Sequence, residues 1–146
     1  MSYNVCLPSY SIGADCYKEI GYFARYYGKK AVVIGGKTAM EKAKGALLEG
    51  IVGSGIELLD FIWYGGDSTY ENGDALIANE IVRQADILFG VGGGRACDTC
   101  KYVATELDKP MFLFPTVGSN CASVTSISVI YNEDGSFREY YYPKIA

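Results

Sequence analysis

The segment Gly90-Val91-Gly92-Gly93-Gly94-Arg95-Ala96-Cys97-Asp98-Thr99-Cys100-Lys101 concentrates residue types that could do chemistry: adjacent glycines, cations, thiols and a carboxylate. Glycine has no Cβ, so the backbone at 92–94 can bend sharply and let another group approach. A helix that begins there presents unpaired N–H groups and the positive end of its dipole, which suits an anion and above all a phosphate. The spacing fits neither the G-x-G-x-x-G fingerprint nor the Walker loop. A single glycine would read as a tight turn with no ligand; three in a row at a strand's end favour phosphate. Cys97-Asp98-Thr99-Cys100 offers a second chemistry, because a C-x-x-C at a helix start has its thiol pKa lowered by the dipole. Against that, Cys100 falls on the stripe expected to be buried. Zinc is weaker still, since one C-x-x-C without any histidine leaves scattered cysteines to complete four ligands.

The elements that must hold this segment follow from hydrophobic spacing. Ile87, Leu88, Phe89 and Val91 form a buried strand before the glycines. After them Ala96, Cys100, Val103 and Leu107, with Cys97 and Ala104 beside them, line one helix face. Upstream, a helix is expected from Cys16 to Tyr26, buried through Ile20, Phe23, Ala24 and Tyr27 and stopped by Gly28. Ala31–Ile34 is a buried strand ending in Gly35-Gly36. A helix over Thr38–Leu48 turns Ala39, Ala43, Ala46 and Leu47 inward. Ile56–Phe61 reads as a strand, Asn72–Gln84 as a helix and Met111–Phe114 as a further buried strand. Strand and helix alternate throughout, so the fold class is α/β: a Rossmann-like, mostly parallel sheet with helices on both faces. Ligands of such sheets sit outside the carboxyl ends of the strands. Gly50-Ile51-Val52-Gly53-Ser54-Gly55 resembles a phosphate loop but follows a helix, where the dipole is negative, and is read as a cap. Thr116–Ser126 is a loop of small polar residues past a strand end, the usual place of a binding loop. Ile127–Tyr131 and Phe137–Tyr141, joined by Asn132–Gly135, form a C-terminal β-hairpin.

Composition narrows the classes. A length of 146 residues suits one domain, and 49% apolar with 21% charged residues is globular in character. A net charge of −4 with scattered lysines leaves no basic face, which speaks against nucleic acid and anionic membrane as partners. No apolar run approaches the roughly 20 residues needed to cross a bilayer. Five cysteines, an odd number, and an N-terminus without signal-peptide character point to reduced thiols and a cytoplasmic location. The absence of histidine removes the commonest general base and metal ligand. The 13 tyrosines, with the run Tyr140-Tyr141-Tyr142, suggest an oligomer contact or association with a further domain, and leave open a non-catalytic nucleotide-binding or assembly module.

Taken together, Pro8-x-Tyr10-x-x-Gly13, Val32-Val33-Ile34-Gly35-Gly36, the glycine turn with trailing Asp98-Thr99-x-Lys101, Pro115-Thr116-Val117-Gly118-Ser119, Ser126–Tyr131 and Pro143-Lys144 carry a family likeness. The chain resembles the N-terminal, dinucleotide-binding half of the metal-dependent (iron-containing) alcohol dehydrogenase superfamily, in its glycerol dehydrogenase-like branch. The resemblance implies an NAD(P)-binding domain over residues 1–146, with a helical domain holding zinc or iron through one Asp and two His lying outside it. It implies that Gly93, Gly94 and Arg95 hold the pyrophosphate and that Asp98 lies near the ribose and nicotinamide. Thr116 and Ser119 would line the adenine and ribose side; Thr125, Ile127 and Tyr131 would flank the nicotinamide. Ile127 and Tyr131 are equally readable as hairpin core.

Three departures from the family pattern sharpen these expectations. Where NAD-specific members carry an Asp that binds the adenosine ribose, this chain has Gly36 and Lys37, whose room and cation leave NADP(H) either permitted beside NAD or preferred to it. Lys37 is also readable as a solvated helix-start residue. Where glycerol dehydrogenases carry a substrate-contacting Asp, it has Cys121, a weak hydrogen-bonding group that disfavours polyols and tilts the substrate toward 2-oxo or 2-hydroxy acids. The Asp and two His for metal are missing, so the expectation is dinucleotide binding by a chain that holds no metal ligand and no catalytic residue of its own. The substrate is expected to be a small alcohol or oxo acid.

Overall fold

Short aliphatic runs with no polar alternation belong in the middle of a sheet, buried on both faces. In the computed structural model, which describes residues 9–142, they lie there. Strands β1 (Lys30–Gly35), β2 (Glu57–Trp63), β3 (Ile87–Gly92) and β4 (Met111–Pro115) make one parallel sheet in the order β2-β1-β3-β4. Successive side chains of the central strands go to opposite faces. Val33, Ile87, Phe89 and Val91 pack against α1 (Ile20–Ala24) and α2 (Lys37–Gly50). Val32, Ile34 and Leu88 pack against α3 (Tyr70–Ala78), α4 (Glu80–Gln84) and α5 (Gly94–Glu106). The result is a three-layer α/β fold, completed by an antiparallel hairpin of β5 (Ser128–Tyr131) and β6 (Phe137–Tyr141). Pro8 of the lead-in turn and the final Pro143-Lys144 lie outside the described residues.

The strand order fixes where a ligand can enter. From β1 the chain moves outward to β2, then returns across β1 to β3, so the connections part above the carboxyl ends of β1 and β3. That reversal opens a crevice in the sheet's edge. Two glycines let the elements beside it close up. At Gly90 a Cβ would lie 2.6 Å from Leu113 Cδ2 and 2.8 Å from Cys100 Sγ, so a side chain there would push α5 off the sheet. At Gly92 the backbone φ is +150° and a Cβ would sit 2.8 Å from that of Ala96, so the turn into α5 requires glycine.

Several expected boundaries and faces are corrected. The single helix over Asn72–Gln84 is two helices, because the Asn79 side chain accepts from the N–H groups of Ile81 and Val82 and starts α4 afresh. The helix from Cys16 is a 3₁₀ turn over Cys16–Glu19 and then the short α1; Ile20 and Ala24 are buried, but Phe23 and Tyr27 are exposed. In α2, Leu47 is buried and Ala39 and Ala43 pack against the core as expected, Met40 and Gly50 join them, and Ala46 faces solvent. Strand β4 is half-buried rather than buried, since it forms an edge of the sheet with a neighbour on one side. Strand β2 continues two residues past Phe61, to Trp63.

Candidate nucleotide site

The crevice is a cleft of about 480 Å³ lined by Gly36–Ala39, Trp63, Tyr64 and Gly92–Ala96. That is within the range of small-molecule sites, about 300–1,000 Å³. Two helices begin at it, α2 after N-cap Gly36 and α5 after N-cap Gly93, and neither N-terminus is capped by a side chain. Unpaired N–H groups and the positive dipole ends of two helices therefore converge on one open space. The turn glycines leave it accessible: a Cβ on Gly93 or Gly94 would meet only Val117 at 3.5 Å and Asn120 at 3.4 Å, both from the polar loop opposite. No Asp or Glu lines the cleft. A pyrophosphate fits this donor set: backbone N–H groups, nearby cations and no competing carboxylate in the lining.

Two cations flank the opening. Lys37, the first residue of α2, holds its Nζ over the Trp63 ring at 4.4 Å from the centroid. Arg95, in the first turn of α5, is ion-paired with Asp67 Oδ2 at 2.7 Å and lies 4.5 Å above the Tyr131 ring. Nearby, burial and the negative charge of Asp67 raise the Tyr64 pKa above its ordinary value.

Behind the cleft α5 is clasped to the hairpin. Asp98 and Lys101 form a buried ion pair, Oδ1 to Nζ 2.8 Å, with side chains 8% and 1% exposed. Lys101 Nζ also donates to the carbonyls of Thr125 and Ile127, and Asp98 Oδ2 accepts from Val129 N–H at 3.1 Å. Ser128 Oγ donates to the Asp98 carbonyl. The two buried charges compensate each other, and Asp98 Oδ1 faces the ammonium without a well-aligned hydrogen bond.

The sequence matches the iron-containing alcohol dehydrogenase family over residues 8–146. The chain belongs to that family. Among its relatives are a glycolaldehyde reductase of Halobacterium salinarum, 30% identical over 92% of this chain and 36% of that protein, and the glycerol dehydrogenase of Escherichia coli, 27% identical over 90% and 35%. A probable glycerol dehydrogenase of Sinorhizobium meliloti shares the fold at TM-score 0.74 and 25% identity, covering 88% of this chain and 34% of that one. The glycerol dehydrogenase structure from Schizosaccharomyces pombe, at 24% identity, shares the fold at TM-score 0.78 over 90% and 33%. The chain spans about a third of the length of the curated relatives it matches.

Of the residues singled out in the sequence, the structure brings Gly36, Lys37, Gly93, Gly94 and Arg95 together on the cleft. Tyr131 adjoins them beneath Arg95. Thr116, Ser119 and Cys121 are exposed on the loop between β4 and β5, near the cleft mouth but not in its lining; Thr125 is half-buried and Ile127 exposed. Asp98 does not line the cleft either, being turned back to Lys101 and the hairpin. The rival dithiol reading of Cys97 and Cys100 fails on the ground already raised against it: both are buried, and burial pushes the Cys97 thiol up to about 11 and Cys100 higher still. A nucleophilic dithiol needs the opposite shift. Metal does not fit here: the sequence has no histidine, and no group of three His, Cys, Asp or Glu that could hold an ion occurs among the described residues. Nor is any helix there long and apolar enough to cross a membrane.

Sequence reasoning missed Trp63, Tyr64 and Asp67. The first two sit at the carboxyl end of β2, and ending that strand at Phe61 hid them; the alternation Phe61, Trp63 was the available signal. Asp67 lies far from Arg95 in sequence, and nothing local pairs them.

Proposed function

We propose that this chain is the dinucleotide-binding part of an NAD(P)-linked, glycerol dehydrogenase-like alcohol or polyol dehydrogenase. The observation that carries the reading is the convergence of two uncapped helix N-termini on one cleft at the β1/β3 reversal. In it Gly93, Gly94 and Arg95 hold the pyrophosphate. Gly36 leaves space at the adenosine end, and Lys37 supplies a cation there, so NADP(H) is accommodated as well as NAD(H). The polar loop with Thr116 and Ser119 closes over the ribose and adenine, and Thr125, Ile127 and Tyr131 flank the nicotinamide. When bound, the nicotinamide supplies hydride to, or accepts it from, a small alcohol or its carbonyl counterpart. Asp98 acts from behind, fixing with Lys101 the distance between the phosphate turn and the hairpin.

Metal chemistry does not come from these residues, which supply no ligand set; in this reading the 1–146 segment provides the cofactor floor and one wall of the substrate cleft. Cys121, exposed beside the site, supports a second substrate class, 2-oxo or 2-hydroxy acids, since a thiol there neither binds a polyol strongly nor repels a carboxylate. Titration of the protein with NADH and NADPH, followed by nicotinamide fluorescence, tests the reading. Saturable binding that competes with ADP-ribose is expected. No binding of either dinucleotide contradicts it.

A further inference from the structure

Lys37 and Arg95 both border the cleft, but their charges are not equally available. Arg95 already shares its charge with Asp67, 2.7 Å from one guanidinium nitrogen. Lys37 has no ion-pair partner among the described residues and is held instead by the indole of Trp63, 4.4 Å from its Nζ. A lysine at the start of an exposed helix ordinarily ranges through solvent on its four-carbon stem, and the ring face limits that range. The ring, 48% exposed, is backed on one side by the turn that follows β2. Trp63 closes the β1–β2 ladder opposite Gly35, and Gly66, at φ +97°, packs so close behind that a Cβ there would lie 3.1 Å from the indole. Tyr64 Oη donates to the Gly66 carbonyl at 2.8 Å and holds that turn in place.

We propose that Trp63 is a specificity-determining residue: its indole positions the Lys37 ammonium over the cleft, where it selects a dinucleotide carrying a 2′-phosphate. This rests on the dinucleotide reading and adds to it a preference and the residue that creates the preference. The ammonium is an uncompensated point charge, so a phosphate dianion gains far more from it than a ribose hydroxyl does. Thr38, next in the chain and also lining the cleft, adds a hydroxyl donor. No carboxylate in the lining repels the added charge. Trp63 touches neither the phosphate nor the nicotinamide in this account; it acts through Lys37.

The test is the ratio of dissociation constants for NAD(H) and NADP(H), measured on the protein and three variants. Wild type is expected to favour NADP(H) by about tenfold, the order of one charge-assisted contact. Lys37→Met abolishes the ratio. Trp63→Leu reduces it several-fold, and Trp63→Phe, which keeps an aromatic face, restores most of it. Because Trp63 is the one tryptophan in the sequence, its emission also changes more with 2′,5′-ADP than with 5′-ADP, a readout that needs no variant. A wild-type ratio near one, a Trp63→Leu ratio equal to wild type, or equal loss of both dinucleotides in Trp63→Leu would overturn the proposal while leaving dinucleotide binding intact. Failure of wild type to bind either dinucleotide would instead remove the reading beneath it.

Discussion

Two kinds of helix start occur along the same edge of this sheet. At α3 the Thr69 side chain accepts from Asn72 N–H, and at α4 Asn79 does the same for Ile81 and Val82, so these N-termini satisfy themselves. At α2 and α5 the N-cap is glycine and no side chain closes the end. The capped ends flank the outer strand β2, and the open ends meet where the strand order reverses, between β1 and β3. Leaving a cap out costs a helix about 0.5–2 kcal/mol against Ser, Thr, Asp or Asn, though glycine itself gives up only a few tenths. The start of α1 after Glu19 also lacks a side-chain cap, so the proposed anion site rests on two open starts meeting at one crevice and not on a missing cap alone.

The largest expected effect tests what holds the open end of α5 in place. Lys101→Met strands the Asp98 carboxylate in a buried site and should lower stability by about 3–5 kcal/mol, read from the urea midpoint. The double variant Asp98→Asn/Lys101→Met should recover much of that loss; equal loss in both would show that the pair itself is not the anchor. Next, Gly92→Ala forces a side chain onto a φ of +150° and into Ala96, for about 1–3 kcal/mol of destabilisation together with loss of NADH binding. Third, the two kinds of start can be exchanged. Thr69→Ala should cost about 1 kcal/mol and leave dinucleotide affinity as it was. Gly93→Asp, whose extended backbone accepts a capping side chain, should hold or slightly raise the thermal midpoint while cutting affinity about tenfold or more, because its carboxylate takes the phosphate's place. A Gly93→Asp protein that binds normally would erase the distinction.

The smallest effect concerns the self-satisfied side. Tyr70, at the start of α3, donates to Glu139, and Tyr141 of β6 donates to Glu106. Burial first, then these carboxylate bonds, push both phenols up to about 12. A raised folded pKa means that the protonated phenol favours the folded state. The contribution is complete below the ordinary tyrosine range near 10 and fades as pH rises through about 12. Hairpin protection should therefore fall across that window, seen as amide exchange at β6 rising with tyrosinate absorbance, whereas Tyr70→Phe and Tyr141→Phe together should flatten the response.

The layout of the fold was legible because β1 and β3 are short apolar runs without charged residues inside them, and glycines fall where those strands end. Where reading failed, a local rule lost to a contact from elsewhere. Asn79 looked like an interior helix residue until its side chain was seen to cap α4. Phe23 and Tyr27 fitted an amphipathic stripe, but the buried side of α1 is Ile20, Gly21 and Ala24, and Tyr27 lies past its end. In the proposed site, the glycine turn could be named from local spacing, and Lys37 only from the family likeness. The burial of Lys101 and the pairing of Arg95 with Asp67 could not, since each depends on a partner brought in by the sheet from across the chain.

The proposed site seats an anion-bearing dinucleotide on the open start of α5. Amide resonances of the nitrogen-15-labelled protein, followed during titration with NADPH, test it directly. The largest shifts are expected at Gly93, Gly94, Arg95 and Lys37, saturating together, with the α3 and α4 starts at Tyr70 and Glu80 unmoved. Shifts centred on those capped starts, or binding that leaves positions 93–95 unchanged, would contradict it.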